Sequence, residues 1–176
     1  MQKTDQAQRI PISITPTFHH DIAYLRPEKS YTPDCFEIID EALRILEADA
    51  EYRFTVEQAW LLEQYWNAKP AKRALLCRFA AEGRLSMAPG LYAVPDMNLL
   101  DGESLFMQAT VGKAIVRDTL GLNPRACLIA DSWGHPAQLP QILSQCGYAY
   151  YGFSRCMRRD VNVENFRWKG LDGSEL

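Results

Sequence analysis

The chain has 176 residues, enough for one domain with a real core. Hydrophobic residues make up 47% and charged residues 23%, an ordinary composition for a soluble globular protein. The formal net charge is -3 with no basic face in evidence, which argues against nucleic acid as a partner and leaves Arg158-Arg159 as a solvated loop.

No window approaches the roughly 18 apolar residues of a membrane span. The polar start, Met1 to Arg9, has the character of neither a secretion signal nor an anchor, so a cytoplasmic location is expected. The five cysteines are widely spaced, odd in number and without a Cys-x-x-Cys pair. That argues against a disulfide framework or a thiolate metal site, and four of them, in apolar or helical surroundings, read as small buried thiols.

Along the chain, Arg9 to Phe18 reads as a first strand ending just before His19-His20-Asp21. Tyr31 to Pro33 gives a break, and the spacing of Phe36, Ile39, Leu43 and Leu46 predicts a helix over Asp34 to Ala48. A short strand at Tyr52 to Thr55 precedes helical stretches near Val56 to Trp66 and Ala71 to Ala81, the second closed by Gly83. Leu85 to Ala88 reads as a third strand, followed by a loop reaching Asp101.

Gly102 to Leu120 is a long predicted helix closed by Gly121. Ala126 to Ala130 has the fully apolar pattern of a strand buried in a parallel sheet, with Asp131 at its end. A helix is expected over Pro140 to Gln145 and strands over Tyr148 to Phe153 and Phe166 to Lys169. This alternation predicts an α/β fold with a mainly parallel sheet, in which chemistry gathers at the C-terminal ends of the strands.

The histidines are three, His19, His20 and His135, and each falls just past a predicted strand. Along an extended chain His19 and Asp21 point to one side and His20 to the other. A neutral imidazole and a carboxylate aimed at one point suit a borderline-hard cation, with zinc the first candidate. Taken by itself a His-x-Asp triplet also fits a surface loop or a hydrogen-bonded core histidine. Asp131 adds a carboxylate that is costly to bury unless paired or metal-bound, although it can also cap the following turn with Ser132. Asp101 and Glu103 read as helix-start acids, whereas Asp96, in the loop after a strand, is placed to reach a ligand.

The run from Asp131-Ser132-Trp133-Gly134-His135-Pro136 to Ile142-Leu143 resembles the nucleophile motif of glycoside hydrolase family 38. Glu82-Gly83-Arg84-Leu85, Asp101-Gly102-Glu103-Ser104-Leu105, Arg53-Phe54-Thr55 and Gly152-Phe153-Ser154-Arg155 resemble the same family in the same order. The resemblance implies an incomplete (β/α) barrel, with residues 1–176 forming the N-terminal portion of a catalytic domain that ends before it is complete. It implies zinc held by His19, Asp21 and Asp131, and Asp131 acting as catalytic nucleophile in retaining hydrolysis of an α-mannoside or a mannosyl conjugate. Tyr24 sits where the family usually has a sugar-stacking Trp, and Arg155 matches an arginine near the nucleophile, although a structural ion pair explains it nearly as well.

The sequence departs from the family at His20 in place of Asn, at Ile22-Ala23-Tyr24 in place of Pro-Gly-Trp, and at Trp133 in place of Phe. No histidine follows His135 to act as the fourth ligand. Neither Asp160 nor Asp172 sits in a motif matching the acid/base. The chain alone is therefore expected to be inactive, and a partial barrel with open strand edges is expected to self-associate. Two other readings stand beside this one. A polysaccharide deacetylase-like metal hydrolase would need more histidines, and a non-catalytic paralogue would bind sugar or a partner protein.

Overall fold

The computed structural model describes residues 12–22, 24–157 and 165–176. Five strands, β1 (Thr17–Phe18), β2 (Phe54–Gln58), β3 (Leu85–Leu91), β4 (Ala126–Ile129) and β5 (Tyr150–Phe153), are interspersed with five α-helices, two of them between β2 and β3. The helices are α1 (Glu28–Ala48), α2 (Ala59–Ala68), α3 (Arg73–Ala81), α4 (Gly102–Leu120) and α5 (Leu139–Gln145), with a 3-10 turn at Pro70–Lys72 before α3.

All strand pairs are parallel, in a sheet of order β1-β2-β3 and a second of order β4-β5. The expected α/β fold with parallel sheets is present, and the described strands do not close into a barrel. One apolar cluster, with Leu43, Leu46, Leu61, Tyr65 and Phe79, fills the space between the first sheet and α1 to α3. A second, with Ala109, Cys127, Ile129, Leu139 and Leu143, lies between β4, α4 and α5.

Several elements differ from their sequence-based bounds. Helix α1 begins at Glu28 rather than Asp34 and carries Pro33 inside it. Pro33 lies early in the helix, where its missing N–H removes a single backbone bond and the apolar face from Cys35 to Leu46 supplies the packing. Strand β2 runs to Gln58, through residues whose local pattern predicts helix, because β3 pairs with Val56 and Gln58. β4 is not buried on both faces: Cys127 and Ile129 are inside while Ala126 and Leu128 are exposed, because α4 and α5 cover one side only.

Of the first expected strand, only Thr17–Phe18 pairs among the described residues. The segment from Phe166 to Lys169 forms no regular strand. Trp168 instead exchanges backbone hydrogen bonds with Leu176 around a tight turn. The pair Arg158-Arg159 lies outside the described residues.

Helix α4 has the predicted bounds, and its ends show why. The Asp101 side chain accepts from Ser104 N at 2.8 Å, and Gly121 at φ 70° ends the helix in the left-handed conformation. The five cysteines are all free thiols, but only Cys35 and Cys127 are buried; Cys77 on α3 and Cys146 just after α5 are half-buried, and Cys156 is exposed in the loop after β5. Among the described residues no helix is long and apolar enough to cross a membrane.

Candidate active site

Successive parallel strands deliver the chemistry to one edge. His19 and Asp21 follow β1, Asp96 lies in the loop after β3, Asp131 follows β4, and Arg155 follows β5. Their C-terminal ends open into a cleft of about 490 Å³ whose lining includes His19, Asp21, Gln58, Asp96, Asp131 and Trp133. That is where parallel α/β folds place their ligands.

His19, Asp21 and Asp131 offer ligand atoms that all lie within 4.8 Å of one another. His19 Nε2 stands 3.5 Å from Asp21 Oδ1 and 3.8 Å from Asp131 Oδ2. Both separations exceed hydrogen-bond length. They sit close to the roughly 3.4 Å between neighbouring ligands that bonds of about 2.1 Å impose at a tetrahedral zinc. His19 Nε2 is buried without a hydrogen-bond partner. An imidazole lone pair and two carboxylates facing one point repel each other unless a cation joins them, so this donor set fits a metal ion.

Asp131 splits its two oxygens between two partners. Oδ2 faces His19, and Oδ1 meets Arg155 Nε in an ion pair. The Arg155 guanidinium lies over the Trp133 ring, 4.7 Å from its centroid, so the exposed indole steadies the arginine beside the carboxylate. Asp131 does not cap the next turn. Ser132 turns inward instead and donates to Gly134 O at 2.9 Å.

His135 braces the same loop from behind. Its Nε2 lies 3.0 Å from Arg155 O, and a carbonyl only accepts, so Nε2 carries the proton. Nδ1 then accepts from the Tyr151 hydroxyl at 2.8 Å. His20 packs its ring against Phe18 and edge-on to Tyr31, 4.9 Å between centroids, and burial lowers its pKa.

The remaining expected residues lie further out. Tyr24 is 75% exposed on the rim of the cleft, and Asp96 lines its wall without joining the three-residue cluster. Asp101 caps α4, as a helix-start acid should, and takes no part in the site.

Sequence reasoning missed Glu57. It is wholly buried on β2, and its Oε2 lies 2.6 Å from His19 Nδ1. The available signal was an acid flanked by Phe54-Thr55-Val56 in a strand-like run, hidden because Val56 onward reads as helix.

Residues 9–176 match the family model described as the glycosyl hydrolases family 38 N-terminal domain. The chain belongs to glycosyl hydrolases family 38. Over 161 residues this family 38 chain is 30% identical to alpha-mannosidase 2C1 of Mus musculus, covering 90% of this chain and 16% of that protein. Over 168 residues it is 26% identical to alpha-mannosidase of Saccharomyces cerevisiae, covering 90% and 15%. The chain thus spans about a sixth of the length of these curated relatives.

Among solved structures, an alpha-mannosidase from Enterococcus faecalis V583 superposes with a TM-score of 0.84 at 21% identity, over 92% of this chain and 19% of that one. A 4-alpha-glucanotransferase from Thermococcus litoralis superposes with a TM-score of 0.63 at 18% identity, over 78% and 21%. At such identities the superpositions establish the fold alone.

Proposed function

We propose that this chain is the N-terminal portion of the catalytic domain of a retaining α-mannosidase, residues 1–176 carrying the nucleophile and three metal ligands. The supporting observation is the convergence of His19, Asp21 and Asp131 at the strand ends, their ligand atoms within 4.8 Å of one another. Curated relatives bearing the name alpha-mannosidase support the choice of an α-mannoside or mannosyl conjugate as substrate.

In this reading His19, Asp21 and Asp131 would hold zinc, which would supply a fixed positive charge for sugar hydroxyls. Asp131 is the catalytic nucleophile: one carboxylate oxygen bonds to the anomeric carbon as the glycosidic C–O bond breaks. Arg155 pairs with Oδ1 and so fixes the orientation of the carboxylate. Tyr24 offers a ring on the rim of the cleft for the sugar, and Asp96 a carboxylate on its wall for a hydroxyl.

No aspartate after Asp131 lies in a motif that would make it the acid that protonates the leaving oxygen. The chain alone is therefore inactive in this proposal. The test is calorimetric zinc titration beside Asp131→Ala, with release of 4-nitrophenol from its α-mannoside followed in parallel. A single zinc per chain, greatly weakened in the variant, and no turnover support the reading. Unaltered zinc binding in Asp131→Ala removes it.

A further inference from the structure

Glu57 stands apart from the site as the sequence motifs define it, yet it is the one wholly buried carboxylate among the described residues. It lies on β2, the central strand of its sheet, at the point where the β2–β3 register slips between Val56 and Gln58. Such irregularities re-aim side chains next to sites. A carboxylate inside a sheet is costly unless a donor meets it. The donor here is His19, at 2.6 Å from Oε2, while Oε1 has no hydrogen-bond partner among the described residues.

With Glu57 ionised and the His19 ring neutral, the contact has one consistent assignment. A carboxylate only accepts, so His19 Nδ1 carries the hydrogen and donates to Glu57 Oε2. A neutral ring then bears its lone pair on Nε2, the atom directed at Asp21 Oδ1 and Asp131 Oδ2. Without an acceptor at Glu57, the ring is free to take the other tautomer or to turn its edge. A histidine that ligates a metal is typically held this way by a carboxylate on its second nitrogen.

We propose that Glu57 is a positioning residue that sets the tautomer of His19 and aims its Nε2 at the point shared by Asp21 and Asp131. Its consequence for metal affinity rests on the zinc reading above, whereas its effect on the ring does not.

The experiment uses the chain in metal-free and zinc-titrated forms, as wild type, Glu57→Gln and Glu57→Met. Gln keeps an acceptor oxygen, and Met keeps the length without one. Ring ¹⁵N shifts of His19, read without metal at a pH where the imidazole is neutral, report the tautomer. The expected result is a proton on Nδ1 in the wild type, kept in Glu57→Gln and lost in Glu57→Met. Zinc affinity falls about 10- to 100-fold in Glu57→Met and less in Glu57→Gln.

A wild-type ring protonated on Nε2 overturns the proposal by itself, even if Glu57→Met fails to fold. So does a folded Glu57→Met with an unchanged tautomer. If the tautomer behaves as expected but no form binds zinc, the metal reading falls and the assignment of Glu57 to His19 stands.

Discussion

Gly112, midway along α4, lies directly against the backbone of Gly90 near the end of β3. A Cβ at Gly112 would collide with the Gly90 carbonyl oxygen and the Leu91 backbone. The helix approaches the strand this closely because Gly112 carries no side chain; a Cβ on Gly90 would point away, against Pro124. β3 leads from this contact into the cleft loop holding Asp96.

Gly112→Ala is expected to force the helix away from the strand. Alanine favours the helix by about 1 kcal/mol over glycine, but overpacking against rigid backbone costs about 1–3 kcal/mol. The clash is with main chain and has no easy relief, so the net effect is destabilising. Urea denaturation read by circular dichroism checks it. Equal or greater stability would show that α4 shifts freely.

Asp40 on α1 meets the Tyr65 hydroxyl of α2 at 2.5 Å and Lys69 Nζ at 3.2 Å. Burial pushes the Asp40 carboxyl up, but the hydroxyl and the ammonium outweigh it and hold the pKa below the usual carboxylate value. A depressed folded-state pKa contributes stability above the unfolded pKa of about 3.9, and that stability is lost as pH falls through the folded value. Tyr65→Phe is therefore expected to cost about 1 kcal/mol at neutral pH, since Asp40 is partly open to water. It should also lose less stability than wild type on acidification. Thermal melts across the acid range measure both.

Tyr151 donates to His135, which in turn donates to the Arg155 carbonyl. Tyr151→Phe leaves His135 Nδ1 without its donor, at an expected cost of about 1–3 kcal/mol. Because the chain of contacts ends at the residue paired with Asp131, the loop after β5 should also loosen. Faster amide exchange near Ser154 and Arg155 is the expected sign. Exchange slowed or unchanged there would mean the loop is held elsewhere.

Asp96 shares the cleft with the three candidate ligands but not their meeting point. Asp96→Asn should leave zinc affinity within about 2-fold of wild type, whereas Asp21→Ala should lower it by about 10-fold or more. A large zinc effect at Asp96 would redraw the ligand set.

His19 and Asp21, two residues apart just past β1, and Asp131, directly after the apolar run of β4, were legible as candidates from their position at strand ends, while their grouping as one ligand set came from the family resemblance. Helix α4 was legible to the residue because its signals are local: a capping Asp101 and a left-handed Gly121. Glu57 was not, since the strand character of Val56 to Gln58 comes from pairing with β3, some thirty residues on. The same holds for β4, whose apolar run says nothing of which face α4 and α5 will cover.

By itself the sequence determined most of the helices and strands and which polar residues follow the strands, in what order, because side-chain type and local backbone signals suffice for that. Only the tertiary structure decided which atoms face one another. The turn of the His19 ring, the partner of each Asp131 oxygen and the burial of Glu57 depend on strands brought together from distant parts of the chain. Hydrogen bonding across a sheet has no local sequence signature.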